Sequence, residues 1–239
     1  MQAKLSIIVP TYNERENITP LIEKIGEILG QDDYEILVVD DNSPDGTAGV
    51  AESLSKDYPV RIIHRPGKSG LASAVVEGIG KAEGDIVGVI DADLQHPPEL
   101  VAQLGGAIVE GNDIAIASRY VQGGGIENWS LLRRIASRGA NVLARPLTKV
   151  HDPMSGYFFL NKEVVMGIDF KPAGFKILLE ILVKGTYEGI KEIPYTFRER
   201  GRGKSKLGLM EYTRYLRLLY SLYLFRLKAI CARRMVKKS

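Results

Sequence analysis

Short runs rich in Ile and Val alternate with longer stretches of helical hydrophobic spacing, and this alternation restricts the fold more than any other feature. The runs fall at residues 4–9, 34–39, 60–64, 86–90 and 114–117, and helical patterns occupy 17–29, 47–57, 71–82 and 98–110 between them. Strands that alternate with helices cannot pair as hairpins. They imply an α/β architecture, an open and mostly parallel sheet with helices on both faces. In such sheets ligands sit beyond the carboxyl ends of the strands. Three of these ends carry polar clusters: Pro10 to Glu14, Asp40 to Gly46 and Asp91 to Gln95.

Past Ser118 the pattern is less regular. Gly123, Gly124 and Gly125 open a stretch expected to be a flexible loop, a helix is predicted over 130–143, and strands are predicted over 156–160 and 190–197 with a helix over 175–184 between them. The chain divides into a catalytic body at 1–206 and a C-terminal helix at 207–239. One cysteine in 239 residues excludes an internal disulfide framework, and His64, His96 and His151 lie too far apart in sequence for a structural zinc site. The N-terminal apolar run is too short for a signal peptide, which points to a cytosol-facing protein.

The net charge of +3 conceals an asymmetry. From Arg198 onward thirteen Lys and Arg accompany two acids, a local charge of +11 against −8 for the rest. Such a tail suits an anionic partner. Between 207 and 235 the pattern is helical, with Arg214, Arg217, Ser221 and Lys228 on one face and Tyr215, Leu218, Leu219, Leu222, Tyr223, Phe225 and Ile230 on a broad apolar side. Its longest uncharged stretch, 218–225, is far short of the roughly 20 residues needed to span a bilayer. A basic, aromatic helix of this kind suits the membrane interface, and the alternative is a terminal helix packed on the body.

Two phosphate-loop look-alikes fail. Gly67-Lys68-Ser69 and Gly203-Lys204-Ser205 lack the first glycine of the pattern, because Ile62 and Arg198 stand in its place. Asp91 and Asp93 are more informative. On an extended segment carboxylates at i and i+2 point the same way, and together with the Gln95 amide oxygen they offer hard ligands for Mg²⁺ or Mn²⁺. The competing reading has both acids capping the helix that starts near Pro98.

Taken together, PTYNERENI, VVDDNSPDGT, GLASAV, IDADLQHPPE, ASRYVQGGG, RRIASRGAN, DPMSGYFF and RERGRGKSKLG resemble, in collinear order, the inverting GT-A glycosyltransferases, specifically the dolichyl-phosphate mannose synthases. The resemblance implies a Rossmann-like GT-A body. It places Pro10, Tyr12, Glu14, Val39 and Asp41 around the nucleotide of GDP-mannose, and Asp91, Ala92 and Asp93 at metal and diphosphate, with Asp93 and Gln95 as direct ligands and Asp91 nearer the sugar or ribose. It further implies that Arg119 faces the diphosphate or sugar, that Arg200 and Lys206 close over the phosphates on a mobile loop, and that Arg133 and Ser137 bind the phosphate of dolichol or another polyprenol. Asp91, Asp93, Arg119, Arg200 and Lys206 are then the catalytic set.

The same resemblance implies a peripheral protein on the cytosolic face of a plasma membrane or endoplasmic reticulum, with no nucleic-acid partner. Some relatives carry transmembrane helices after this domain and others use small membrane-protein partners. Two alternatives stay open: a polyprenyl-phosphate glucose synthase using UDP-glucose, and a non-catalytic nucleotide-sugar-binding subunit. The Gln-x-x-Arg-Trp motif of processive synthases is absent, since Asn128 precedes the single Trp129.

Overall fold

The computed structural model describes residues 4–171, 176–197 and 209–236. Strand β1 (Leu5–Thr11) leads through helix α1 (Arg15–Leu29) to β2 (Tyr34–Asp40), then through α2 (Thr47–Leu54) to β3 (Val60–His64). Helix α3 (Leu71–Lys81) returns the chain to β4 (Ile86–Val89), and α4 (Val101–Val109), entered through a 3-10 turn at Pro98–Leu100, leads to β5 (Ile114–Ser118). The second half contributes β6 (Gly125–Ile126), α5 (Leu131–Ala144), β7 (Phe158–Asn161), α6 (Ile177–Lys184), β8 (Ile190–Pro194), β9 (Thr196–Phe197) and α7 (Leu209–Val236).

Seven strands form one sheet in the order β3-β2-β1-β4-β7-β5-β8. All its neighbours are parallel except those of β7, which runs antiparallel to both β4 and β5. The strand period of two is read directly from the core. Ile7, Val9, Ile36 and Val38 pack beneath Ile18, Leu21, Ile22 and Ile25 of α1, whereas Ile8, Leu37 and Val39 pack against Val75 and Ile79 of α3 on the opposite face. Gly88 in β4 is required by packing, because a Cβ there would lie 2.5 Å from the Phe159 ring.

The order of connections matters most for function. From β1 the chain moves outward to β2 and β3, then crosses back to place β4 on the other side of β1. The β1–β4 boundary is therefore the topological switch point, where a crevice opens beyond the carboxyl ends.

The second half departs from expectation in two places. The region from 123 is not merely a loop, because Gly125–Ile126 pairs in parallel with Thr196–Phe197 as a separate two-stranded sheet. The strand expected over 190–197 is accordingly split: β8 joins the large sheet, and the chain changes sheets around Tyr195.

Helix α7 is docked on the body. Tyr215, Leu218, Leu219 and Leu222 are buried with Ala144, Leu147, Met154 and Leu179 in a third core cluster. The Tyr215 and Tyr223 hydroxyls donate to Ala140 O and Leu143 O, each at 2.7 Å, and Arg226 donates to Leu147 O. Most of the expected apolar side, with Tyr223 packed beside the cluster, is thus used for packing, and the Ile230 side chain lies outside the described residues. Phe225 is exposed, as are Leu216, Tyr220, Leu224 and Leu227 on the outer side. Among the described residues no helix is long and apolar enough to cross a membrane.

Candidate active site at the sheet switch point

The loops after β1, β2 and β4 meet at this crevice, and each contains one non-glycine residue in the left-handed region: Asn13 (φ 59°), Asn42 (φ 57°) and Leu94 (φ 58°). Asparagine tolerates that conformation, but leucine does so at a cost of about 1 kcal/mol or more. Such strain is held in place by surrounding structure and concentrates at working sites.

Register brings the first expected group together. Pro10 pairs with Val39, and Thr11 with Asp40. Thr11 Oγ1 donates to Asp40 Oδ1 at 2.9 Å, and the Asp41 N–H donates to Thr11 O at 3.0 Å. The Glu14 N–H is received by Thr47 Oγ1 at 3.0 Å, and Glu14 Oε2 accepts from Asn17 Nδ2 at 2.7 Å. Lys68 Nζ lies 3.8 Å from the centre of the Tyr12 ring and covers one of its faces.

Asp41 has a role that sequence reasoning missed. It is 4% exposed, and its carboxylate accepts from Arg65 Nη1, from Ser69 N at 3.2 Å and from Gly70 N at 2.9 Å. Arg65, itself buried, also reaches Glu77 at 3.0 Å and Ser73 at 2.9 Å. The pair ties the 65–70 loop to the end of β2. Three of the four lone-pair positions on Asp41 are filled by the protein, so any contact with base or ribose falls on the fourth.

Around Asp91 and Asp93 the expected geometry is corrected. Strand β4 ends at Val89, and Ala92 and Asp93 lie in a turn, so alternation along an extended segment does not set their directions. Leu94 in the left-handed conformation instead brings the Gln95 N–H onto Asp93 Oδ1 at 3.0 Å. The capping alternative fails as well, because the 3-10 turn starting at Pro98 receives no side-chain cap. Asp91 Oδ2 contacts His96 Nε2 at 3.3 Å, while Asp91 Oδ1 is buried and meets no hydrogen-bond partner among the described residues.

Whether these residues fit a divalent cation follows from that donor set. Two carboxylates and an amide oxygen are hard ligands, and the unmet Asp91 oxygen is an acceptor without a donor. No group of three or more His, Cys, Asp or Glu suited to a metal occurs among the described residues. The protein therefore fits Mg²⁺ or Mn²⁺ only as a partial cage, which a diphosphate would complete.

Arg119, at the end of β5, is bound by a partner that the sequence did not reveal. Its Nε and Nη2 donate to the two oxygens of Asp152, both at 2.7 Å, and Asp152 is wholly buried. Burial works against the Arg119 charge, but the charge and hydrogen bonds of Asp152 outweigh it and hold the pKa above the ordinary value. The guanidinium also lies near the rings of Tyr120, Trp129 and Phe197. Asp152, expected only in a turn, thus fixes the arginine expected to face the substrate.

The expected acceptor residues adjoin this group. The Tyr120 hydroxyl donates to Ser137 Oγ at 2.8 Å, and Arg133 lies 4.0 Å over the Trp129 ring. Both sit on or beside α5, whose first turn is capped by the Ser130 hydroxyl. Arg200 and Lys206 lie outside the described residues.

Comparison with known proteins bears on this architecture. The glycosyl transferase family 2 profile matches residues 6–169. A dolichol-phosphate mannosyltransferase of Pyrococcus furiosus is 50% identical over 92% of this chain, which spans 63% of that protein's length. Those of Mycosarcoma maydis and Saccharomyces cerevisiae are 41% and 39% identical over 92% and 96% of this chain, and 79% and 90% of theirs. Among solved structures, mannosyl-3-phosphoglycerate synthase from Rubrobacter xylanophilus superposes with a TM-score of 0.71 at 22% identity, covering 95% of this chain and 75% of that one. Glucosyl-3-phosphoglycerate synthase from Mycobacterium tuberculosis, in complex with Mn²⁺, UDP-glucose and phosphoglyceric acid, gives 0.69 at 21%, covering 92% and 79%.

The sheet order, the acids at its switch point and these likenesses define a nucleotide-sugar transferase of the GT-A fold. The fungal relatives align along nearly the whole chain, beyond the stretch that the family profile covers. The chain belongs to glycosyl transferase family 2, within the group of dolichol-phosphate mannosyltransferases.

Proposed function

We propose that this protein transfers mannose from GDP-mannose to the phosphate of dolichol or a related polyprenol, with inversion at the anomeric carbon. The observation that carries the reading is the incomplete acid at the switch point. Asp91 keeps a buried oxygen without a partner where a donor diphosphate would sit, in a chain closely related to enzymes named for this transfer.

The residues account for the chemistry in order. A lipid phosphate has its second pKa at about 6, so at neutral pH its oxygen is already anionic and needs no general base. That oxygen attacks the anomeric carbon as the bond to the diphosphate breaks, and GDP leaves with the bonding electrons. Asp91, Asp93 and Gln95 would hold Mg²⁺ or Mn²⁺, which when bound supplies positive charge to the departing diphosphate. Arg119, fixed by Asp152, keeps its remaining N–H groups for diphosphate or sugar. Arg133 and Ser137 position the acceptor phosphate, and Arg200 and Lys206 are assigned to the phosphates as well.

The acceptor also suggests a side of approach. Leu131, Leu132, Ile135, Val142 and Leu143 of α5 are exposed, as are Leu216, Tyr220, Leu224 and Leu227 of α7. We place these apolar surfaces against the cytosolic face of the membrane that carries the lipid phosphate. A donor panel tests the whole reading. Radiolabelled GDP-mannose with dolichyl phosphate should give organic-phase product dependent on a divalent ion, and preferential transfer from UDP-glucose would replace the assignment.

A further inference from the structure

His96 is a buried polar residue that the proposed mechanism does not use. It is 4% exposed and enclosed by Tyr157, Tyr195 and Phe197, with ring centres 5.3, 5.6 and 5.7 Å away. Among the described residues its Nδ1 meets no hydrogen-bond partner and its Nε2 meets one carboxylate, Asp91 Oδ2 at 3.3 Å. The tautomer that satisfies this contact carries its proton on Nε2 and donates it to Asp91. On its other side Asp91 Oδ2 lies against Gly156, where a Cβ would come within 3.0 Å. The carboxylate is thus held between an imidazole and a bare backbone, and Oδ1 is left as its unsatisfied atom.

We propose that His96 is a positioning residue for Asp91, holding one carboxylate oxygen so that the other is presented to the donor and its cation; the inference rests on the donor reading above. A core histidine retained only for packing would have no reason to leave one ring nitrogen unmet in an aromatic cage and spend the other on an active-site acid. The cost of that unmet nitrogen is accepted where orientation of a ligating acid matters, because groups that orient metal ligands set affinity without touching the metal.

The test is direct binding of GDP-mannose with Mn²⁺ by calorimetry, alongside steady-state kinetics. His96→Phe keeps the ring packing and removes the donor. It should weaken GDP-mannose affinity about 10-fold or more and lower kcat, while leaving the KM for lipid phosphate and the melting temperature near wild type. His96→Gln, which can place an N–H near the position of Nε2, should restore most of the affinity. On an Asp91→Asn background His96→Phe should cost nothing further. Wild-type affinity in His96→Phe, or an equal loss on both backgrounds, overturns the inference alone. Wild-type protein with no affinity for GDP-mannose overturns the donor assignment and this inference with it.

Discussion

Asp41 and Asp91 stand at the ends of β2 and β4, on either side of β1, and the protein treats them in opposite ways. Asp41 is 4% exposed and answered from within by Arg65 and two backbone N–H groups. The Asp91 side chain is 27% exposed, touches one imidazole and keeps a buried oxygen unmet. A buried carboxylate that the chain satisfies is scaffold, since the pairing offsets its desolvation. One left incomplete carries a standing cost, which on the proposed reading the donor and its cation relieve. Sequence alone does not separate the two, because both lie in acid-rich motifs after a run of Ile and Val.

The largest expected effect breaks the comparison at Asp91. Asp91→Asn should lower turnover by about 10²–10³-fold, the scale of losing one preorganised electrostatic contact, without lowering the ligand-free melting temperature. Turnover of GDP-mannose and thermal unfolding of the same preparation would check both halves.

Asp41→Ala should do the reverse, acting first on stability. It takes away one of the two carboxylates on the buried Arg65, leaving Glu77, and deprives the Ser69 and Gly70 N–H groups of their acceptor, a loss of about 3 kcal/mol, or on the order of 10 °C in melting temperature for a chain of this size. Denaturant unfolding measures it. The simultaneous Asp41→Ala, Arg65→Met replacement should recover part of the loss, because it removes a buried guanidinium that has lost one of its carboxylates.

A milder version lies at the opposite end of the sheet, where Asp113 precedes β5. Its carboxylate accepts from Glu188 N at 2.7 Å and Gly189 N at 2.9 Å, and these bonds hold its pKa below the ordinary 3.8 against a small opposing effect of burial. A depressed folded pKa contributes stability that is present above the unfolded value and is lost as pH falls through the folded one. Asp113→Ala should therefore cost about 1–2 kcal/mol near neutrality, with the difference from wild type shrinking below pH 3.8. Urea titrations at pH 7 and pH 3 report it.

The same contrast explains what the sequence made legible. Strands β1 to β5 and their helices follow from hydrophobic period and from runs long enough to carry it. Strands β6 and β9 have two residues each, one of them a glycine, and such a pair exists only because tertiary structure brings the segments together. Pro10, Tyr12, Glu14, Val39 and Asp41 do gather at two adjacent strand ends, as parallel register requires. The extended geometry expected for Asp91 and Asp93 gave way to a turn, since residue type does not reveal that Leu94 adopts a left-handed conformation. Arg65 and Asp152 were missed for one reason: each matters through a partner 24 or 33 positions away, and no local spacing signals such a pair. Tyr195 was expected only as part of a strand and His96 was given no role, because their contact forms only when the chain changes sheets.

On the proposed reading the donor completes the end of β4, whereas the end of β2 is complete without it. Melting temperature with and without saturating GDP-mannose and Mn²⁺, in wild type, Asp91→Asn and Asp41→Asn, tests it most directly, because a ligand stabilises only the state that binds it. Wild type should show a clear rise. Asp91→Asn should start at or above the wild-type melting temperature and lose most of that rise, whereas Asp41→Asn should start lower and keep it. An undiminished rise in Asp91→Asn, or a ligand-free melting temperature of Asp41→Asn equal to wild type, would contradict the account.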